Sequence, residues 1–243
     1  MDSFLGDKPM SGRLAHCYAD LRKCLCFAII LLVGTQVLGC SWFKKTEERD
    51  TARELAEKGM EKYNHRDYED AIEAFQNLKD WYPFSQYAIL AELKLGDAHY
   101  HRKEYEDAIV AYESFENLHP KNEATPYVVY QLGRCYFDRM ETIDRDQTMA
   151  QEALKAFERL ARTYPASPYA GKAEAHMRIC NKNLAEHDFY VGMFYYKSKH
   201  YKAALERFKT VVRSYPDLGV HHKALKYIAL CQEKLSSAAL GEY

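Results

Sequence analysis

Ten histidines, seven cysteines and 35 acidic side chains are the groups of this 243-residue chain that could do chemistry. A metal needs ligands that converge. His99 and His101 stand two apart in a helical stretch and diverge by about 160° around its axis, and His221 and His222 are adjacent and diverge by about 100°. Neither a His-Glu-x-x-His pair nor a Cys-x-x-Cys spacing occurs, so no metal site and no cofactor is expected. The chain also has no Gly-x-Ser-x-Gly elbow, phosphate-binding glycine loop or dinucleotide fingerprint. The carboxylate pairs Glu69-Asp70 and Glu106-Asp107 read as solvated helix faces, not as an acid and base flanking a substrate. The residues point away from an enzyme.

The cysteines divide by position. Cys17, Cys24 and Cys26 lie beside an apolar run, Leu25 to Leu38, that follows Arg13, Arg22 and Lys23. At 14 residues the run is too short to cross about 30 Å of hydrocarbon as a helix. Residues 1–39 read as a secretory signal peptide, with Met10 as an alternative start. The segment ends in Val37-Leu38-Gly39-Cys40, which resembles the lipobox of bacterial lipoproteins, although Val37 and Leu38 depart from the usual residues there. The resemblance implies cleavage before Cys40 and acylation of Cys40. The alternative is an ordinary signal peptide cut near Gly34 or Gly39, with Cys40 a plain thiol. Residues 40–50 then form the anchor and a polar tether. Cys135, Cys180 and Cys231 sit on helical patterns and read as small buried hydrophobes.

Thirty-four basic against 35 acidic residues leave a net charge of -1, so no basic field exists to hold nucleic acid. With 47% hydrophobic and 28% charged side chains, the composition is that of a globular chain.

A fixed period organises the rest. From Gly59, the offsets +4, +9, +12, +16 and +24 give Tyr63, Tyr68, Ala71, Phe75 and Pro83. The same offsets from Gly96 give Tyr100, Tyr105, Ala108, Tyr112 and Pro120, and from Gly192 they give Tyr196, Tyr201, Ala204, Phe208 and Pro216. A fourth copy starts at Gly133 and Phe137, then returns eight residues late as Ala153, Phe157 and Pro165, which places an insertion at Arg139 to Gln147. Each unit reads as two helices whose close approach needs the glycine and alanine, whose gap the aromatics fill, and whose end the proline sets. Ser85, Thr125-Pro126 and Ser167-Pro168 read as N-caps. The longer interval from Pro165 to Gly192 holds an additional helix, and His222 to Leu235 a final one, for ten in all. Residues 51–165 are then N-terminal repeats 1–3, residues 166–235 C-terminal repeats 4–5, and residues 236–243 a tail.

Leu95-Gly96-Asp97-Ala98-His99-Tyr100 followed by Tyr105-Glu106-Asp107-Ala108-Ile109 closely resembles the tetratricopeptide repeat consensus. The resemblance implies an all-α superhelix of about five helix pairs with a concave protein-binding face. Tyr82-Pro83-Phe84-Ser85-Gln86-Tyr87-Ala88, Asp144-Arg145-Asp146-Gln147 and Leu184-Ala185-Glu186-His187-Asp188-Phe189-Tyr190-Val191 resemble the BamD family of outer-membrane assembly lipoproteins. That family implies a scaffold on the periplasmic face of the outer membrane that binds the periplasmic domains of BamA, unfolded outer-membrane proteins and other lipoproteins of the complex. The family's arginine ahead of the Leu-Ala pair is replaced here by Asn183, beside Lys182.

Recognition positions follow from variation between repeats. Met60, Asn64, Asp97, His101, Tyr130 and Arg134 occupy the inner face of the first helices and are expected to bind extended clients. Lys182, Asn183, His187, Asp188 and Tyr190, where the added helix meets the last repeat, are expected to bind the folded partner. A competing reading is another lipid-anchored repeat adaptor, such as a pilus or secretin pilotin; a cell-wall hydrolase would need a catalytic domain that this length cannot hold.

Overall fold

Four glycines set how the helices approach one another. A Cβ on Gly59 would stand 2.5 Å from Phe75 Cε1, on Gly96 2.6 Å from Tyr112, on Gly133 2.5 Å from Phe157, and on Gly192 2.7 Å from Phe208. Each ring therefore lies on bare backbone, and all four rings are fully buried. The computed structural model describes residues 50–216 and 218–240. The expected signal peptide, acylated Cys40, residues 41–49 of the tether and residues 241–243 of the tail lie outside them.

Among the described residues there are nine helices and no strand. They are α1 (Ala52–Asn64), α2 (Tyr68–Trp81), α3 (Ala88–His101), α4 (Tyr105–Leu118), α5 (Thr125–Phe137), α6 (Thr148–Thr163), α7 (Ala170–Lys197), α8 (Tyr201–Ser214) and α9 (His221–Leu240). Each packs on its chain neighbours, and first helices also touch across repeats, α1 on α3 and α5 on α7. The core is split accordingly into four clusters along the chain, centred on Phe75, Tyr112, Phe157 and Phe208. This is the all-helical stack of tetratricopeptide-type hairpins that the period implies.

The tight turns share one geometry. Arg66, Lys103 and Lys199, each seven residues after its glycine, adopt φ of 66°, 63° and 62°. Asp67 N–H reaches back to Lys62 O and Arg66 N–H to Tyr63 O, at 2.9 and 3.0 Å, closing the helix end with a left-handed residue. In the third repeat residues 138–147 replace that turn.

Two expectations are corrected. The added helix and the first helix of the last repeat are one continuous element, the 28-residue α7. Nothing in Ala170–Lys197 breaks a helix, and its interior Gly192 is retained because Phe208 needs the space. The cap assignments also shift. Ser85 precedes Tyr87, the N-cap of α3, and contributes its carbonyl to Ala88 N–H at 3.1 Å. Thr125 is the first residue of α5, its hydroxyl donating to His119 O at 2.8 Å, and Ala124 is the cap. Ser167 Oγ accepts from Tyr169 N–H at 3.2 Å, before α7 begins. The proline turns insert one more reverse turn ahead of each helix. α1 starts on a full capping box, with Thr51 and Glu54 bonded reciprocally.

Candidate docking surfaces

On the N-terminal inner face the expected residues separate into three environments. Asn64 and His101 are exposed, and Met60 is half-buried against the first core cluster. The His101 ring stacks on Tyr68 at 4.9 Å with Tyr63 and Tyr100 edge-on. Burial among those rings lowers the His101 pKa below its ordinary 6.5, with Lys94 and Arg66 adding to the shift and Asp97 opposing it. Arg134 is partly covered, donating to Tyr100 Oη at 2.7 Å and to Asp138 at 3.1 Å, while Tyr100 Oη donates to Asp138.

Asp97 and Tyr130 are corrected from surface to interior. Asp97 is 1% exposed. Its Oδ1 accepts from the hydroxyls of Tyr112 and Tyr127, both at 2.8 Å, and its Oδ2 pairs with Lys94 Nζ at 2.8 Å. Burial and the Asp97 charge push both phenols well above their usual range, so they stay protonated donors. Tyr130 is buried among Phe157, Tyr169 and His176. Both positions face the junction with the following repeat, where adjacent first helices meet. The open part of this face is carried by the +4 and +5 positions: the half-buried Tyr63 and Tyr100, with Asn64, His101 and Asp138. Sequence reasoning placed Tyr63 and Tyr100 wholly in the core, although a hydroxyl recurring at +4 signals a ring end that reaches polar surroundings.

The C-terminal residues divide similarly. Lys182 is exposed near Glu186 at 3.9 Å, and Tyr190 is exposed. Asn183, His187 and Asp188 hold the neighbouring elements instead. Asn183 Nδ2 donates to Gln147 Oε1 at 2.5 Å, the His187 Nδ1 lies 2.7 Å from Ile143 O, and Asp188 pairs with Arg207 at 2.9 Å. The insertion is thus fastened onto α7, with Cys180 Sγ also donating to Met140 Sδ. A polar recess of about 350 Å³ remains between them, lined by Arg145, Gln147, His187, Asp188, Arg207 and Tyr215, among others. On the outer side of α7, Ile179, Tyr190 and Phe194 are exposed. At 3.6 residues per turn they fall within about 60° of one another, an apolar row interrupted by Asn183, which shares the sector, with Lys182 and Lys197 exposed nearby. Ile179 and Phe194 were missed, because the phase of an uninterrupted 28-residue helix was not assigned across its length.

His99, Glu104 and Asp107 come together within 4.8 Å, a convergence that the His99/His101 spacing did not suggest. Glu104 is already shared between His99 at 2.9 Å and Arg102 at 2.8 Å, which accounts for the group as an ion pair. The acidic pairs at the starts of α2 and α4 bind cations of the following turn, Glu69 with Arg102 at 3.1 Å and Glu106 with Arg139 at 2.6 Å. Burial pushes the thiols of Cys135 and Cys180 up to about 12, so neither is a ready nucleophile.

Together these elements define a helical-repeat protein of the tetratricopeptide type. Residues 48–242 match the family described as YfiO, outer membrane lipoprotein, and the chain belongs to that family. It is 28% identical over 231 residues to the outer membrane protein assembly factor BamD of Haemophilus influenzae, covering 91% of this chain and 88% of that one. It is also 28% identical over 226 residues to the corresponding factor of Pasteurella multocida, covering 89% and 86%. A solved TPR2AB domain of yeast Sti1 aligns with 76% of this chain and 71% of its own at 14% identity and a TM-score of 0.43. The relatives support a role in outer-membrane protein assembly. No described helix is long and apolar enough to cross a membrane.

Proposed function

We propose that the chain is a periplasmic scaffold of the outer-membrane β-barrel assembly complex, held to the membrane by acyl chains on Cys40. Its C-terminal repeats dock the periplasmic domains of BamA through the α7 stripe and the fastened insertion, and its N-terminal inner face receives unfolded outer-membrane proteins. The observation that carries this reading is the exposed Ile179, Tyr190 and Phe194 on the same helix that holds residues 139–147 through Asn183 and His187, in a member of this family. An apolar row with lysines nearby suits a folded partner, whereas the Tyr63, His101 and Tyr100 rings beside Asn64 offer aromatic faces and hydrogen bonds to an extended segment.

The test uses surface positions that do not hold the fold. Tyr190→Ala combined with Phe194→Ser should weaken BamA co-purification from detergent-solubilised membranes while leaving photo-crosslinking of client peptides from position 64 intact. Equal loss of both activities, with unchanged circular dichroism, would remove the two-surface assignment. Release of Cys40→Ala into the soluble periplasm checks the anchor.

A further inference from the structure

The turn between α2 and α3 carries an aromatic with no role in packing. Phe84 is 101% exposed, and Trp81 and Ile89, on either side of it in sequence, are 41% and 40% exposed. Turns of the same design follow the next two hairpins, each placing a proline one residue earlier: Pro83, Pro120 and Pro165. The residue in the Phe84 position is Lys121 and Ala166 in the other two. A fully solvated phenylalanine at one of three such tips is therefore not a requirement of the turn, whose hydrogen bonds run through the backbone, Ser85 N–H to Tyr82 O and Ala88 N–H to Ser85 O.

The position of this tip relative to the start of the chain gives it an occupant. Tyr82, in the same turn, donates its hydroxyl to Asp50 O at 3.0 Å. Asp50, the residue from which the tether departs, is thereby held at the Phe84 turn. Cys40 lies ten residues before Asp50, a span of at most about 36 Å even when fully extended. Trp42-Phe43-Lys44-Lys45 begin two residues after Cys40, residue types that favour the boundary between lipid headgroups and acyl chains.

We propose that the Trp81 to Ile89 turn is a lipid-contacting tip: with the chain anchored at Cys40, Phe84 enters the headgroup region of the membrane and sets which end of the repeat stack faces it. The proposal rests on the lipid-anchor reading. One acyl chain alone gives marginal attachment, and apolar side chains at the interface add to it without spanning the bilayer.

The experiment uses the full acylated mature chain in vesicles of phosphatidylethanolamine with phosphatidylglycerol. The two native tryptophans are replaced (Trp42→Phe, Trp81→Phe), and Phe84→Trp supplies the only tryptophan, excited selectively over the 20 tyrosines. Val110→Trp, at an exposed apolar site on α4, serves as the control. Flotation with the vesicles reports anchoring; quenching by lipids brominated near the headgroup reports contact. The expected result is a floated protein in which Phe84→Trp is blue-shifted and strongly quenched and Val110→Trp is not. A floated protein with no quenching at Phe84→Trp overturns the proposal while leaving the anchor reading standing. So does equal quenching at both sites, or a Phe84→Trp signal that is shielded only when solubilised BamA is added, which would make the tip a protein contact. Failure to float overturns both readings together.

Discussion

The ring of Phe157 lies against Gly133 so closely that a Cβ there would stand 2.5 Å from Cε1. The ring is fully buried and touches Phe137, Tyr130 and His176, so it has nowhere to retreat. Gly133→Ala should therefore destabilise the chain by about 1 to 3 kcal/mol, the usual cost of overpacking. Phe157→Leu in the same chain should recover part of that loss. Denaturant unfolding of the single and double variants measures both. Two costs that simply add would show that the ring and the glycine are not coupled.

Asp97 makes a different prediction, because its three partners come from three helices. Tyr127→Phe removes one hydrogen bond to a buried carboxylate and should cost about 1.5 to 3 kcal/mol. Asp97→Leu strands Lys94 and two phenols and should cost more, about 3 to 5 kcal/mol. Binding of a client peptide by folded Tyr127→Phe should be unchanged. A variant that keeps its stability but loses the peptide would return Asp97 and its neighbours to the binding surface.

The repeat was legible in the sequence because the packing that sets it is local. A glycine and a ring sixteen residues later are the two sides of one helical hairpin, so their spacing fixes the phase directly. What the sequence concealed depends on distant partners. Asp97 reads as a surface charge until Tyr112 and Tyr127, 15 and 30 residues away, are seen to enclose it. Asn183 and His187 read as partner contacts because their own partners, Gln147 and Ile143, belong to an insertion with no periodic pattern. The N-caps were misplaced by up to two residues because a proline turn ends in a short reverse turn whose hydrogen bonds use main-chain groups. Other accessible residues of the two candidate surfaces, the half-buried Tyr63 and Tyr100 on one and the exposed Ile179 and Phe194 on the other, came from the structure.

His101 should make the N-terminal repeats sensitive to mild acid. Its pKa is lowered in the fold by burial, so the folded state resists protonation more than the unfolded chain does. The associated stability is present above the unfolded value near 6.5 and is lost as pH falls through the lower folded value. Replacing His101 with Phe keeps a ring against Tyr68 and removes the proton. The difference in urea midpoint between about pH 7.5 and 5.5 should be smaller in His101→Phe than in the parent chain. An identical difference in both would assign the acid sensitivity to other groups.

The fastening of the insertion should be separable from the fold of the repeat that carries it. Gln147 is 5% exposed and makes three hydrogen bonds. Its Nε2 donates to Thr142 O and Arg145 O, both at 3.0 Å, and its Oε1 accepts from Asn183. Gln147→Ala leaves two loop carbonyls and one amide without their protein partners, at a cost of about 1 to 3 kcal/mol. Asn183→Ala cuts only the tie to α7 and leaves the loop's internal bonds in place, so it should cost less. Hydrogen exchange distinguishes the two effects. In Gln147→Ala the amides of residues 139–146 should exchange faster while those in the middle of α6 stay protected, since Phe157 and Leu160 remain packed. In Asn183→Ala the loop amides should change little. If α7 must be braced by the insertion to hold a folded partner, Gln147→Ala should also weaken BamA co-purification without touching the exposed stripe. Unchanged exchange across residues 139–146 in Gln147→Ala would show that His187 and the Met140 contact hold the insertion by themselves.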